Sequence, residues 1–176
     1  MLKVYLTGPE SSGKTSLSQS LSTYYDCALV PEYAREFLEK TSGVYAYEDL
    51  EKISQGQLNL EREIMQKESA VLISDTDQLV IYIWSMVKYA KVSENVKKAL
   101  ALQKPSLHLL CKPDLKWAPD PLRENPRDRD ILFESYESKL KALGFNYAII
   151  SGLGNIRLEN AIRLIDDFTK TSDSHS

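Results

Sequence analysis

Residues 8–15 read Gly-Pro-Glu-Ser-Ser-Gly-Lys-Thr. Glycines at the first and sixth positions, followed by Lys-Thr, form the G-x-x-x-x-G-K-[ST] pattern of a phosphate-binding loop. Gly8 and Gly13 permit backbone angles and a close approach that a Cβ blocks. Successive N–H groups then point inward as an anion nest at the positive end of the following helix. Lys14 is placed to reach the β- and γ-phosphates, and the Thr15 hydroxyl to ligate Mg²⁺. Glu10, Ser11, Ser12 and Ser16 complete the set expected around the phosphates. The loop alone implies binding of a nucleoside triphosphate.

Three further segments carry chemistry-bearing residues. Asp75-Thr-Asp77 lies where phosphate-loop proteins place an acid near Mg²⁺. Asp75 there holds a metal-bound water, takes a proton from an acceptor hydroxyl, or only N-caps the following helix. Asp77 either meets the substrate or N-caps the next helix. In Pro31-Glu-Tyr-Ala-Arg-Glu36, Glu32 offers an acceptor to a sugar hydroxyl, with Tyr33 beside it. Arg35 offers a bidentate partner to an anion, or else forms an ordinary surface pair with an acid. Residues 112–130 hold four of the seven prolines, together with Arg123, Arg127 and Arg129. Such a segment reads as a lid that delivers arginines to the γ-phosphoryl group and excludes water, or else as a solvated charged face. Cys111-Lys-Pro-Asp114 approaches the Asn-Lys-x-Asp guanine reader, but cysteine replaces asparagine and no Asp-x-x-Gly follows the third strand. A GTP switch is therefore not expected.

The elements that must position these residues follow from hydrophobic periodicity. Short apolar runs at 2–7, 28–30, 70–74, 106–111 and 145–150 read as strands. Helices are expected at 14–23, 32–40 (with Pro31 at the start), 47–68, 77–90, 93–104, 129–143 and 155–170. Strands alternating with helices give right-handed crossovers, a parallel sheet and helices on both faces. Ligands bind such sheets at the carboxyl ends of the strands, where all the segments above fall, with Ser151 and Gly152 after the fifth strand. Gln57 lies on the inward line of its helix, so it has either a buried partner or a ligand. Trp84 reads as core or as a ligand contact, and His108 as a satisfied core histidine.

With 176 residues the chain fits one domain over 1–170, with a polar tail at 171–176 expected to be disordered. A net charge of -3 without a basic block argues against nucleic acid. No apolar run is long enough to span a membrane. Cys27 and Cys111 lack metal-type spacing and read as reduced thiols of a cytoplasmic protein.

Taken in order, Gly-Pro-Glu-Ser-Ser-Gly-Lys-Thr, Pro-Glu-Tyr-Ala-Arg-Glu, Ser-Asp-Thr-Asp, Leu-Cys-Lys-Pro-Asp and Trp-x-x-Asp-x-Leu-Arg resemble the ribosylnicotinamide kinase domain of NadR-type proteins. The resemblance covers about residues 1–168. It implies a three-layer α/β P-loop NTPase fold with strand order 2-3-1-4-5 and an arginine-containing lid. It also implies transfer of the γ-phosphoryl group of ATP, with Mg²⁺, to the ribose 5′-hydroxyl of nicotinamide riboside or another nucleoside-like compound. By position, residues 11–16 would hold the ATP phosphates and Asp75 would act near Mg²⁺ or as base. Glu32 and Arg35 would face the riboside, and Arg123 would belong to the lid. NadR proteins carry an adenylyltransferase domain upstream; this chain starts at the first kinase strand, so that activity is expected to be absent. Pro31 stands where some members place an aromatic against the nicotinamide ring. Other readings are a related nucleoside or nucleotide kinase and a regulatory P-loop ATPase.

Overall fold

The computed structural model describes residues 1–66, 69–122 and 127–173. Five strands form one sheet: β1 (Leu2–Thr7), β2 (Leu29–Val30), β3 (Val71–Asp75), β4 (Leu107–Cys111) and β5 (Asn146–Ile150). All neighbours are parallel, in the order β2-β3-β1-β4-β5. Seven helices occur among the described residues: α1 (Lys14–Tyr24), α2 (Tyr33–Lys40), α3 (Tyr47–Ile64), α4 (Gln78–Tyr89), α5 (Glu94–Ala101), α6 (Arg129–Leu143) and α7 (Gly154–Asp173).

β1 is central and shows why the sheet has two covered faces. Its side chains alternate. Val4 and Leu6 pack with Leu17 and Leu21 of α1 and with Ala161 and Ile165 of α7. Burying each such Leu or Ile contributes about 1.5–3 kcal/mol. Tyr5 and Thr7 point to the opposite face, where α3, α4 and α6 lie. There the Tyr5 hydroxyl donates to Glu61 at 2.9 Å, and Thr7 Oγ1 donates to Asp77 at 3.0 Å. A second apolar cluster joins Leu79 and Ile83 of α4 to Leu132, Tyr136 and Leu140 of α6.

Several boundaries differ from the sequence reading, among them α5, which ends at Ala101 rather than at 104. The helix expected to begin at Glu32 with Pro31 at its start instead has Glu32 as its N-cap, with Pro31 outside. α7 runs on through Thr171–Asp173, where a disordered tail is expected. Its apolar line from Leu158 to Phe168 packs on the core, and Thr169 Oγ1 bonds back to Ile165, so the helix keeps its register there.

Candidate active site

Parallel register puts the chemistry on one edge. Leu6 of β1 pairs with Asp75 of β3, so Asp75 lies beside the chain just before Gly8. Gly8 has φ 128, and a Cβ there would sit 2.8 Å from the Cys111 carbonyl oxygen. Gly13 is the N-cap of α1 at φ 79; it offers no side-chain cap, and the first turn of α1 carries no acid. The N–H groups at this helix start are therefore covered neither by a side-chain cap nor by an acid of the helix's own first turn. Ser12 is buried and its hydroxyl donates to the Pro9 carbonyl at 2.7 Å. Lys14 Nζ lies over the loop and donates to the carbonyls of Gly8 and Pro9 at 2.9 and 2.8 Å.

Asp75 and Asp77 diverge because Thr76 adopts φ 97, a left-handed value that costs a β-branched residue energy. The Thr76 N–H still reaches Leu6 and its carbonyl takes the Ser74 hydroxyl, which holds the turn. Asp77 is fully buried, caps α4 through Val80, and meets Thr7 and His108 Nδ1. It borders neither cavity of the site. Asp75 faces Thr15. Its Oδ1 is buried without a hydrogen-bond partner. Burial pushes its carboxyl up, while the Thr15 hydroxyl, Lys14 and Arg35 act in the opposite sense. An orphaned buried carboxylate oxygen beside a loop threonine suits a Mg²⁺ that keeps waters and phosphate oxygens as its other ligands.

Glu32 makes no cap bond to α2. That duty falls to Gln57, which accepts from the Tyr33 N–H at 2.8 Å and donates to the Pro31 carbonyl at 3.1 Å. Both ends of the Gln57 amide are thus spent on the backbone, and the Glu32 carboxylate is left to the site. Burial raises the Glu32 carboxyl, Lys14 lowers it and Asp75 raises it. Tyr33 turns its ring onto Gly56 of α3, where a Cβ would come within 2.1 Å, and borders neither cavity.

Two cavities meet here. One, about 150 Å³, is bordered by Glu10, residues 11–16, Glu32 and Arg35. The other, about 390 Å³, lies between α2, α4 and α6; Tyr45, Val80, Trp84, Leu132 and Tyr136 line it. Glu10, Lys14, Glu32, Leu38 and Leu122 border both.

Segment 112–122 crosses the loop. Ala118 N–H donates to Ser11 Oγ at 3.0 Å, and Arg35 pairs with Asp120 at 3.1 Å. Arg129 Nη1 donates to the Ser11 and Leu115 carbonyls, and its guanidinium lies 5.7 Å from the Trp117 ring. Arg127 is exposed, and Arg123 lies outside the described residues. Ser151 is exposed, and both polar groups of the Gly152 backbone are used within the fold. Asp114 is likewise occupied, by Arg157 and the Gly152 N–H. Arg157 and Tyr45 escape the sequence reading; Leu122 stands there only within Trp-x-x-Asp-x-Leu-Arg, and Tyr136 only on α6's apolar line. Trp84 serves both of the roles open to it, packing on α4's neighbours and lining the larger cavity.

The parallel order and the loop at its carboxyl edge define a P-loop NTPase fold. The chain belongs to the family described as an AAA domain, which it matches over residues 3–157. Its fold is similar to that of a NadR protein solved with NAD and AMP-PNP, at 20% identity and TM-score 0.77 over 96% of this chain and 49% of that one. A NadR structure in complex with NR gives 19% and 0.77, over 96% and 52%. Deoxyadenosine kinase from M. mycoides with bound dATP gives 14% and 0.62, over 94% and 100%. At these identities the likeness is one of fold. The chain spans about half the length of the two NadR chains. No curated protein matches it by sequence.

Proposed function

We infer that the chain is an ATP- and Mg²⁺-dependent small-molecule kinase, similar to ribosylnicotinamide kinase, acting on the ribose 5′-hydroxyl of a nucleoside-like acceptor. The observation that carries this reading is the shared wall of the two cavities. A triphosphate seated in the Gly8–Thr15 nest ends at Lys14, and Lys14 also borders the larger cavity. Tyr45, Trp84 and Tyr136 give that cavity flat, apolar walls suited to a ring. A switch ATPase has no use for such a second chamber.

The two carboxylates divide the work. Glu32 borders both cavities and carries a raised pKa, which suits a general base for an acceptor hydroxyl. Asp75 borders neither and faces Thr15; these two would hold Mg²⁺, whose role there is to neutralise charge on phosphate oxygens. Lys14 stabilises the transferring group, and Arg35 is within the same cavity to join it. Unpaired thiols at Cys27 and Cys111 are in keeping with a reducing, cytoplasmic setting.

The test is a screen with ATP and Mg²⁺ against nicotinamide riboside, common nucleosides and nucleoside monophosphates, with the phosphorylated product read by mass. At least one acceptor is expected to yield product above a water-only blank. Tight nucleotide binding with no product from any acceptor would overturn the kinase reading in favour of a regulatory ATPase.

A further inference from the structure

Arg157, on the first turn of α7, is only 4% exposed. Its guanidinium ties three strand-end loops together. Nη2 donates to the carbonyls of Ser12 at 2.6 Å and Lys112 at 3.1 Å. Nη1 donates to Asp114 Oδ1 at 2.7 Å and to the Gly152 carbonyl at 3.0 Å. Asp114 is itself fixed by the Gly152 N–H at 2.8 Å.

The Ser12 bond has a geometric consequence. The carbonyl of Ser12 and the N–H of Gly13 share one planar trans peptide, so they point in opposite directions. Drawing the carbonyl toward Arg157 turns the Gly13 N–H the other way. Gly13 borders the phosphate-side cavity. At φ 79 it has no Cβ to fix this orientation sterically, so the orientation needs an outside hold. Arg129 holds the preceding carbonyl, Ser11, at 3.2 Å, which sets the Ser12 N–H by the same geometry.

We propose that Arg157 is a positioning residue for phosphoryl transfer: it holds the Ser12 carbonyl from behind the loop and so keeps the Gly13 N–H aimed at the phosphates. This rests on the reading of Gly8–Thr15 as a triphosphate nest. Arginine suits the task because its rigid fork reaches several acceptors at once, whereas an ammonium is a single point charge. Asp114 orients the fork, and its place in Cys-Lys-Pro-Asp is thereby explained without a guanine.

The experiment compares the full chain with Arg157→Lys and Asp114→Asn. Binding of ATP–Mg²⁺ and of inorganic tripolyphosphate is measured calorimetrically, and the Gly13 amide is followed in ¹H–¹⁵N spectra. The wild-type chain is expected to bind both, with a displaced Gly13 resonance. Arg157→Lys, folded by its spectrum, is expected to bind both at least about tenfold more weakly, with a smaller Gly13 displacement and an unchanged KM for the acceptor. Wild-type tripolyphosphate affinity in Arg157→Lys would overturn the proposal. So would an equal loss of acceptor affinity, which marks a merely structural role. Should Arg157→Lys not fold, Asp114→Asn carries the same expectations. A wild-type chain that binds neither ligand overturns the nest reading itself, and this proposal with it.

Discussion

Asp75 and Asp77 are the same residue type two positions apart, yet one faces the phosphate loop and the other is locked in the core. The difference is the left-handed Thr76 between them. Asp75→Ala is expected to lower turnover at least about a hundredfold without unfolding the chain. Near-wild-type turnover would remove Asp75 from the mechanism. Glu32 supports a prediction with a definite sign. The charged and titratable groups around it are Lys14, Asp75, Arg35 and Glu10, and burial dominates, so its folded pKa lies above the ordinary carboxylate value. A carboxyl raised on folding binds its proton more tightly in the folded state, so its ionised form costs stability at neutral pH and that cost vanishes on acidification. Glu32→Gln should therefore raise Tm at pH 7–8, and the gain should shrink as pH falls through the raised pKa toward the ordinary value. The same variant should lose turnover, and wild-type activity should fall over that window as Glu32 takes up its proton. A pH-independent Tm difference would remove the linkage argument.

Among the elements, α2 and α3 work as a unit. Gln57 supplies the backbone bonds that an N-cap side chain ordinarily makes, which releases Glu32 for the cavities. Gly56 lets the Tyr33 ring lie on α3. By intrinsic propensity, Gly56→Ala in mid-helix would stabilise by about 0.8–1 kcal/mol. The added methyl meets the Tyr33 ring at 2.1 Å, however, so the ring and the α2 start must move. Net destabilisation of about 1–3 kcal/mol is expected from urea unfolding, because overpacking outweighs propensity. A stabilised variant would show that the ring is not held there. The strand and helix pattern was legible because each element's apolar period matches its place in the sheet. The Gln57 alternative was not, since a polar residue on an inward line looks the same whether its partner is a ligand or a backbone 24 residues away.

For the molecule as a whole, the site is an edge where five loops converge. Segment 112–122 bridges the phosphate loop and α2 through Ala118, Asp120 and Leu122. A ligand that joins these parts stabilises the fold by mass action. ATP–Mg²⁺ at about 100-fold over its Kd adds about 2.7 kcal/mol, equivalent to a Tm rise of about 5–10 °C in a chain of this size. Lys14→Ala should abolish most of that rise in a thermal melt. An undiminished rise would place nucleotide binding elsewhere. None of the described helices is long and apolar enough to cross a membrane.

The sequence by itself determined the phosphate loop, the alternation of strands and helices, and the set of strand ends where chemistry collects. Those are local properties: a glycine's freedom, a lysine's reach, a period of two or of 3.6. Only the tertiary structure decided which polar residues at those ends are spent on the fold. Asp77, Gln57, Asp114 and Arg129 are each engaged with a residue from another segment, which decides between the alternatives the chain leaves open. It likewise assembled the larger cavity from Tyr45, Trp84, Leu122 and Tyr136, which no spacing connects. Hydrogen-bond saturation and cavity walls depend on contacts between distant segments, and a linear pattern carries no record of those contacts.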